Sequence, residues 1–274
     1  VSVLAAGILR GKTAWITGGG TGLGAAMARR FAALGAKVAL SGRRPEPIEA
    51  VASELSGIAA PCDVRDPAQV DAALARIVKD AGPIDILVNN AAGNFLCPSE
   101  DLSPNGFDAV VRIVLHGTFH CTRAAGRHWI DAKRPGTVLS IAATYAETGS
   151  GFVLPSACAK AGVVALTRSL AVEWARHQIR LNAIAPGPIP TEGAFSRLLP
   201  TPELEQARKR RIPAGRFGTP EELAELAAFL VSDGSSWMTG EVVTMDGGEW
   251  LRGAGEFNDL VDLPVGTLAG LRKT

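Results

Sequence analysis

Thr17-Gly18-Gly19-Gly20-Thr21-Gly22-Leu23-Gly24 stands between a short apolar run, Thr13 to Thr17, and a stretch with helical periodicity, Ala25 to Leu34. A strand that passes through glycines directly into a helix predicts a backbone that turns sharply and stays open on one side. Such a turn offers free N–H groups and the positive end of a helix to an anion, and it lets the phosphates of a dinucleotide approach where a Cβ would collide. Gly18, Thr21, Gly22, Leu23 and Gly24 are therefore the expected pyrophosphate cradle.

Working outward from this turn, Ala36 to Ser41, Ile58 to Pro61, Ile84 to Asn89, Thr137 to Ala142, Arg180 to Ala185 and Glu241 to Met245 read as further strands. All but the last precede a helical segment or a loop leading to one, and none shows polar alternation. That pattern predicts parallel strands joined by right-handed crossovers with both sheet faces covered. The expected fold is α/β, a doubly wound parallel sheet of the Rossmann type. Ser103-Pro104 and Thr219-Pro220-Glu221-Glu222 read as helix starts, the second with the glutamate of a capping box. Between Pro186 and Pro220 the pattern breaks into Gly and Pro, which predicts a small lid over about residues 187–219. No linker or repeat divides the 274 residues, so one domain spanning 1–274 is expected.

Twenty-eight basic against 27 acidic residues leave a net charge of +1, which argues against the broad positive face that nucleic acid or a polybasic membrane anchor requires. No run is long enough for a membrane span. Cys62, Cys97, Cys121 and Cys158 are scattered, without C-x-x-C spacing or nearby histidine ligands, so reduced thiols and no metal centre are expected. The cytoplasm is the default compartment, or the mitochondrial matrix if a transit peptide has been removed.

The end of the second strand decides between cofactors. An acid there bonds the ribose 2′-hydroxyl of NAD, whereas a 2′-phosphate needs a cation and no acid. Ala25 to Pro45 holds no acid, and Arg43 and Arg44 follow Ser41-Gly42 directly. Planar guanidinium groups bond phosphate in pairs, so NADP(H) is the expected cofactor.

The glycine turn, Asn89-Asn90-Ala91-Ala92-Gly93 after the fourth strand and Pro186-Gly187-Pro188-Ile189-Pro190-Thr191 after the sixth together resemble the short-chain dehydrogenase/reductase family, from about Gly11 to Gly248. The resemblance implies that Asp63 and Val64 flank the adenine, that Asn89 to Gly93, including Asn90 and Ala91, line the cofactor groove, and that Pro186, Gly187, Ile189 and Thr191 hold the nicotinamide side. The family's usual signature is Tyr-x-x-x-Lys. Here it reads Ser156-Ala157-Cys158-Ala159-Lys160, with serine where the tyrosine belongs, and a serine hydroxyl is a poor general acid at neutral pH. The single tyrosine of the chain is Tyr145, expected in the glycine-bearing loop between the fifth strand and the helix of Lys160.

That relocated arrangement, Thr144-Tyr145-Ala146-Glu147-Thr148-Gly149-Ser150-Gly151-Phe152 with Pro155-Ser156 and Lys160, resembles the NADPH-dependent 2,4-dienoyl-CoA reductases of the family. Asn94-Phe95, Gly193 to Leu198 and Gly255 to Leu260 are similar to the same group. The resemblance implies hydride transfer from NADPH to a dienoyl-CoA thioester to leave a 3-enoyl-CoA, as in β-oxidation of unsaturated fatty acids. Tyr145 would donate to the thioester oxygen, Lys160 would grip the nicotinamide ribose and Ser156 would contact cofactor or substrate. Asn94, Phe95, Phe195 and Arg197 would meet the substrate, and the Lys209-Arg210-Arg211 run is a further phosphate candidate. In one departure, Val114-Leu115-His116-Gly117-Thr118 carries histidine where that group carries a substrate-binding asparagine, so His116 is the expected second donor. The resemblance also implies a homotetramer built on the helices around residues 105 to 130 and 156 to 176. Two other readings stay open: a reductase of the same fold acting on 2-enoyl thioesters or carbonyls, and a non-catalytic NADP(H)-binding protein.

Overall fold

The computed structural model describes residues 4–191, 201–264 and 267. Its first half runs β1 (Thr13–Thr17), α1 (Gly22–Ala33), β2 (Lys37–Ser41), α2 (Pro45–Glu54), β3 (Ile58–Ala59), α3 (Pro67–Ala81) and β4 (Ile86–Asn89). The second half runs α4 (Pro104–Val111), α5 (Gly117–Asp131), β5 (Gly136–Ile141), α6 (Tyr145–Thr148), α7 (Leu154–Trp174), β6 (Ile179–Pro186), α8 (Pro202–Arg211), α9 (Pro220–Val231), β7 (Val242–Met245) and α10 (Glu249–Arg252). The strands form one seven-stranded sheet in the order β3-β2-β1-β4-β5-β6-β7, every pair parallel.

The apolar runs follow from burial on both faces. In β1, Ala14 and Ile16 join one core while Trp15 between them joins the other. The same alternation sends Val38 and Leu40, then Ile86 and Val88, to the first face, and Ala39 and Leu87 to the second. A strand buried on both sides can place a polar residue only where a partner waits. Trp15 Nε1 donates to Ser41 Oγ at 2.8 Å, and that hydroxyl donates to Ala60 O at 2.7 Å, which ties β1, β2 and the exit of β3 together.

Both expected helix caps form. Ser103 Oγ accepts from Gly106 N at 3.1 Å, and Thr219 with Glu222 closes a capping box. The expected helix over 105 to 130 is interrupted by a five-residue π segment, Arg112–His116, between α4 and α5. Such a wide turn re-aims the residues at its end, and it recurs at functional sites. Among the described residues no helix is long and apolar enough to cross a membrane.

Candidate active site

The strand order reverses between β1 and β4, so a crevice opens between their carboxyl ends. Gly18 begins the turn there with φ +64°, which only glycine holds without strain. A Cβ on Gly24 would overlap Gly18 O, and one on Gly20 would lie 2.8 Å from Ile48 N. Thr17 and Asn90 lock the turn to the loop after β4. Thr17 Oγ1 accepts from Asn90 N at 3.0 Å and Ala91 N at 3.1 Å, while Asn90 Nδ2 donates to Thr17 O and Gly18 O at 3.0 and 3.1 Å. The result is a groove of about 410 Å³ lined by Gly18, Gly20, Thr21, Gly42, Arg43, Arg44, Pro47 and Ile48. Both arginines are exposed and stand on the same groove as the glycine turn.

At the next strand exit, Asp63 is held by Arg65, whose Nε lies 3.0 and 2.9 Å from the two carboxylate oxygens. That bond, helped by the charge of Arg43, keeps the Asp63 carboxyl below the usual carboxylate range. Val64 is buried, and its carbonyl lies 2.9 Å from His120 Nδ1. A carbonyl can only accept, so Nδ1 carries the proton.

Across the sheet, the reaction side is assembled from side chains. Lys160 and Ser156 are buried one turn apart on α7. Lys160 Nζ donates to Ile141 O, the last carbonyl of β5, and burial pulls its ammonium down to about 8. Tyr145 opens the one-turn helix α6 instead of sitting in a loop as expected, because the residues after β5 coil before Gly149 (φ +70°) ends the turn. Its hydroxyl lies 3.0 Å from Ser156 Oγ. Burial raises the phenol above its ordinary value, with the Ser156 bond opposing, so at neutral pH it is a neutral donor. Sequence reasoning missed this partnership, since two residues eleven apart carry no spacing signal. It also missed Thr17, although that residue heads the glycine turn.

His116 closes the π segment and is exposed, its ring edge-on to His120 with centroids 6.3 Å apart. Pro186, Gly187, Ile189 and Thr191 are half-buried along the exit of β6. Gly187 N bonds Met245 O at 2.9 Å, and a Cβ on Gly22 would lie 3.3 Å from the Thr191 side chain. The expected nicotinamide segment thus folds back over the glycine turn. Asn94 and Phe95 are exposed, with Asn94 Oδ1 accepting from Phe95 N at 2.9 Å. Phe195 and Arg197 lie outside the described residues. Of the basic run, Lys209 is paired with Glu205 at 2.7 Å and stands 5.2 Å over the Phe217 ring. Lys209 and Arg210 line a different cavity, of about 800 Å³, between α8 and the residues around Leu251 and Val261.

Residues 18–249 match the family described as Enoyl-(Acyl carrier protein) reductase. A short chain dehydrogenase from Bacillus anthracis str. 'Ames Ancestor' is 43% identical, with a TM-score of 0.81 over 88% of this chain and 97% of that one. The chain belongs to the short-chain dehydrogenase/reductase family. Within this family of oxidoreductases several relatives are more specifically named, two of them as follows. A probable 2,4-dienoyl-CoA reductase [(2E)-enoyl-CoA-producing] of Bacillus subtilis (strain 168) is 48% identical over 88% of this chain and 97% of that protein. The probable 2,4-dienoyl-CoA reductase 3 [(3E)-enoyl-CoA-producing] of Caenorhabditis elegans is 46% identical over 90% of this chain and 83% of that protein. Where the signature of this family is Tyr-x-x-x-Lys, this chain keeps Lys160 and carries Ser156, whose Oγ lies 3.0 Å from the hydroxyl of Tyr145 on α6.

Proposed function

We propose that this short-chain dehydrogenase/reductase uses NADPH to reduce a 2,4-dienoyl-CoA thioester to a 3-enoyl-CoA. The observation that carries the reading is the 3.0 Å approach of the sole tyrosine, Tyr145, to Ser156 on the helix of buried Lys160. The names of the relatives support the substrate class. When bound, the cofactor supplies a hydride to the δ-carbon of the diene. The residues fit NADPH: the glycine turn leaves no room for a Cβ at Gly20 or Gly24, and its groove carries Arg43 and Arg44 but no acid, as a 2′-phosphate requires.

Hydride addition pushes charge through the conjugated system onto the thioester oxygen. A preorganised donor aimed at that oxygen is worth about 3 to 4 kcal/mol in a dry site. Tyr145 can give its proton to the oxygen while Ser156 Oγ–H donates to the phenol, so serine orients the donor. His116 is assigned as the second donor from the exposed end of the π segment. Lys160, at about 8, is still mainly ammonium at neutral pH, and it would hold the nicotinamide ribose and a positive local potential. Asp63 and Val64 at the adenine, Asn90 and Ala91 along the groove, Pro186 and Gly187 on the nicotinamide side with Ile189 and Thr191 at the carboxamide, and Asn94, Phe95, Phe195 and Arg197 at the substrate complete the assignment. Protonating the dienolate at the α-carbon gives the 3-enoyl product; protonating the γ-carbon gives the 2-enoyl product in the name of the Bacillus relative. We assign the α-carbon, with solvent as the proton source and residues 187–219 as lid. A homotetramer is assigned as well, supported by exposed Phe119 on α5 and Val172 on α7.

Following NADPH oxidation with hexadienoyl-CoA, a 2-enoyl-CoA and a simple ketone tests the reading. Turnover of the dienoyl thioester alone, with the product double bond at carbon 3, is expected. Preference for either other substrate, or no turnover at all, overturns it.

A further inference from the structure

We propose that Phe152 is the contact that grips the acyl chain of the thioester, so that this site selects substrates by the length of an apolar chain. The inference rests on the thioester reading above and deepens it. Phe152 has φ +66°, a conformation that bulky side chains rarely adopt, and 61% of its surface is exposed. Glycine would meet the same backbone demand, as Gly149 does three residues earlier at φ +70°. A strained, exposed aromatic that packing does not require points to a need for the side chain itself.

Its position says what the ring meets. Phe152 lies between α6, which carries Tyr145, and α7, which carries Ser156 and Lys160, so a substrate reaching the tyrosine hydroxyl passes this loop. Its carbonyl accepts from Cys97 N at 2.9 Å, which ties it to the loop after β4. That second loop exposes Phe95 (39%) and Leu96 (53%), and α7 opens with Leu154 (41%). Neither 90–98 nor 149–156 contains a charged residue. Four exposed apolar side chains on two joined, uncharged segments suit a hydrocarbon and not the phosphates of the CoA end. The cavity under α8 is the competing location, since Ile212, Leu251 and Val261 line it, but Lys209, Arg210 and Arg252 line it too.

The test is calorimetric titration of the full chain bearing NADPH with butanoyl-CoA and decanoyl-CoA, saturated thioesters that the reduction cannot consume. Phe152→Ala is expected to weaken decanoyl-CoA about tenfold more than butanoyl-CoA, and Phe152→Leu to recover most of that difference. Phe152→Gly should match the alanine variant in binding yet melt a few degrees above it, because glycine relieves the backbone. Equal effects on both thioesters, no effect, or a chain-length effect that appears at Leu251→Ala instead would overturn the proposal. A wild-type protein that binds decanoyl-CoA through Phe152 but leaves NADPH unoxidised with hexadienoyl-CoA would remove the reductase reading and leave this one standing.

Discussion

From β1 to α2 the candidate site is made of backbone: a turn of glycines, a helix start and a groove whose width depends on missing Cβ atoms. From β5 to α7 it is made of side chains, with Tyr145, Ser156 and Lys160 held by one hydroxyl pair and one carbonyl. The difference teaches how each half tolerates change. Backbone cradles fail when anything is added, because no rotamer can move a main-chain atom aside. Side-chain sites can be rebuilt from another position, as the proposed role of Tyr145 on α6, in place of a tyrosine at position 156 on α7, would require.

The sharpest break in the comparison comes from adding one methyl group. Gly24→Ala drives a Cβ into Gly18 O and the Asn90 amide, so NADPH affinity should fall by about a hundredfold or more with the far-ultraviolet spectrum retained; a loss below about threefold in equilibrium titration would show that the turn yields. Next in size, alanine at both Arg43 and Arg44 should shift the preference for NADPH over NADH by about 2 to 4 kcal/mol. Competition binding with an unchanged preference would place the 2′-phosphate elsewhere.

On the side-chain half, Lys160 gives a pH signature. Its folded value of about 8 lies below the ordinary lysine value of 10.5, so between them the unfolded chain keeps a proton that the folded chain has released. Stability therefore rises with pH across that window, and the full penalty of the buried charge is present below about pH 8. Urea midpoints without cofactor should show wild type gaining up to about 3 kcal/mol over Lys160→Met between pH 7.5 and 10.5. Parallel curves would mean that the ammonium is not desolvated. The smallest effect is expected at His116, where Asn replaces one donor with another: turnover should change less than about fivefold, against a larger loss in His116→Leu. A leucine variant equal to wild type would make His116 a surface residue.

How much of this was legible in the sequence follows the same division. The glycine turn, both helix caps and the seven strands can be read directly, because local geometry dictates their residue types, and the place of Arg43 and Arg44 directly after β2 is what sets them on the groove of the glycine turn. β3 is shorter than its apolar run, Ile58–Ala59 instead of Ile58 to Pro61, since only two of its residues find ladder partners on β2. The Tyr145–Ser156 pair, the Asp63–Arg65 pair and the π segment before Gly117 have no such signature. They depend on which loops the fold brings together, and a one-residue change of helical phase leaves the hydrophobic pattern of α4 and α5 intact. Ser156 shows the consequence: the resemblance implied contact with cofactor or substrate, and only the folded chain shows that its hydroxyl also lies against the phenol.

The relocated tyrosine is the centre of the account, and Tyr145→Phe tests it most directly. The variant keeps the aromatic ring and removes only the hydroxyl that lies 3.0 Å from Ser156 Oγ. Steady-state NADPH oxidation with saturating hexadienoyl-CoA is predicted to fall about a hundredfold or more, with the NADPH dissociation constant unchanged, because the lost donor acts on the developing charge and not on the cofactor. Turnover close to wild type would contradict it, and would leave the chemistry of this site to some group other than its only tyrosine.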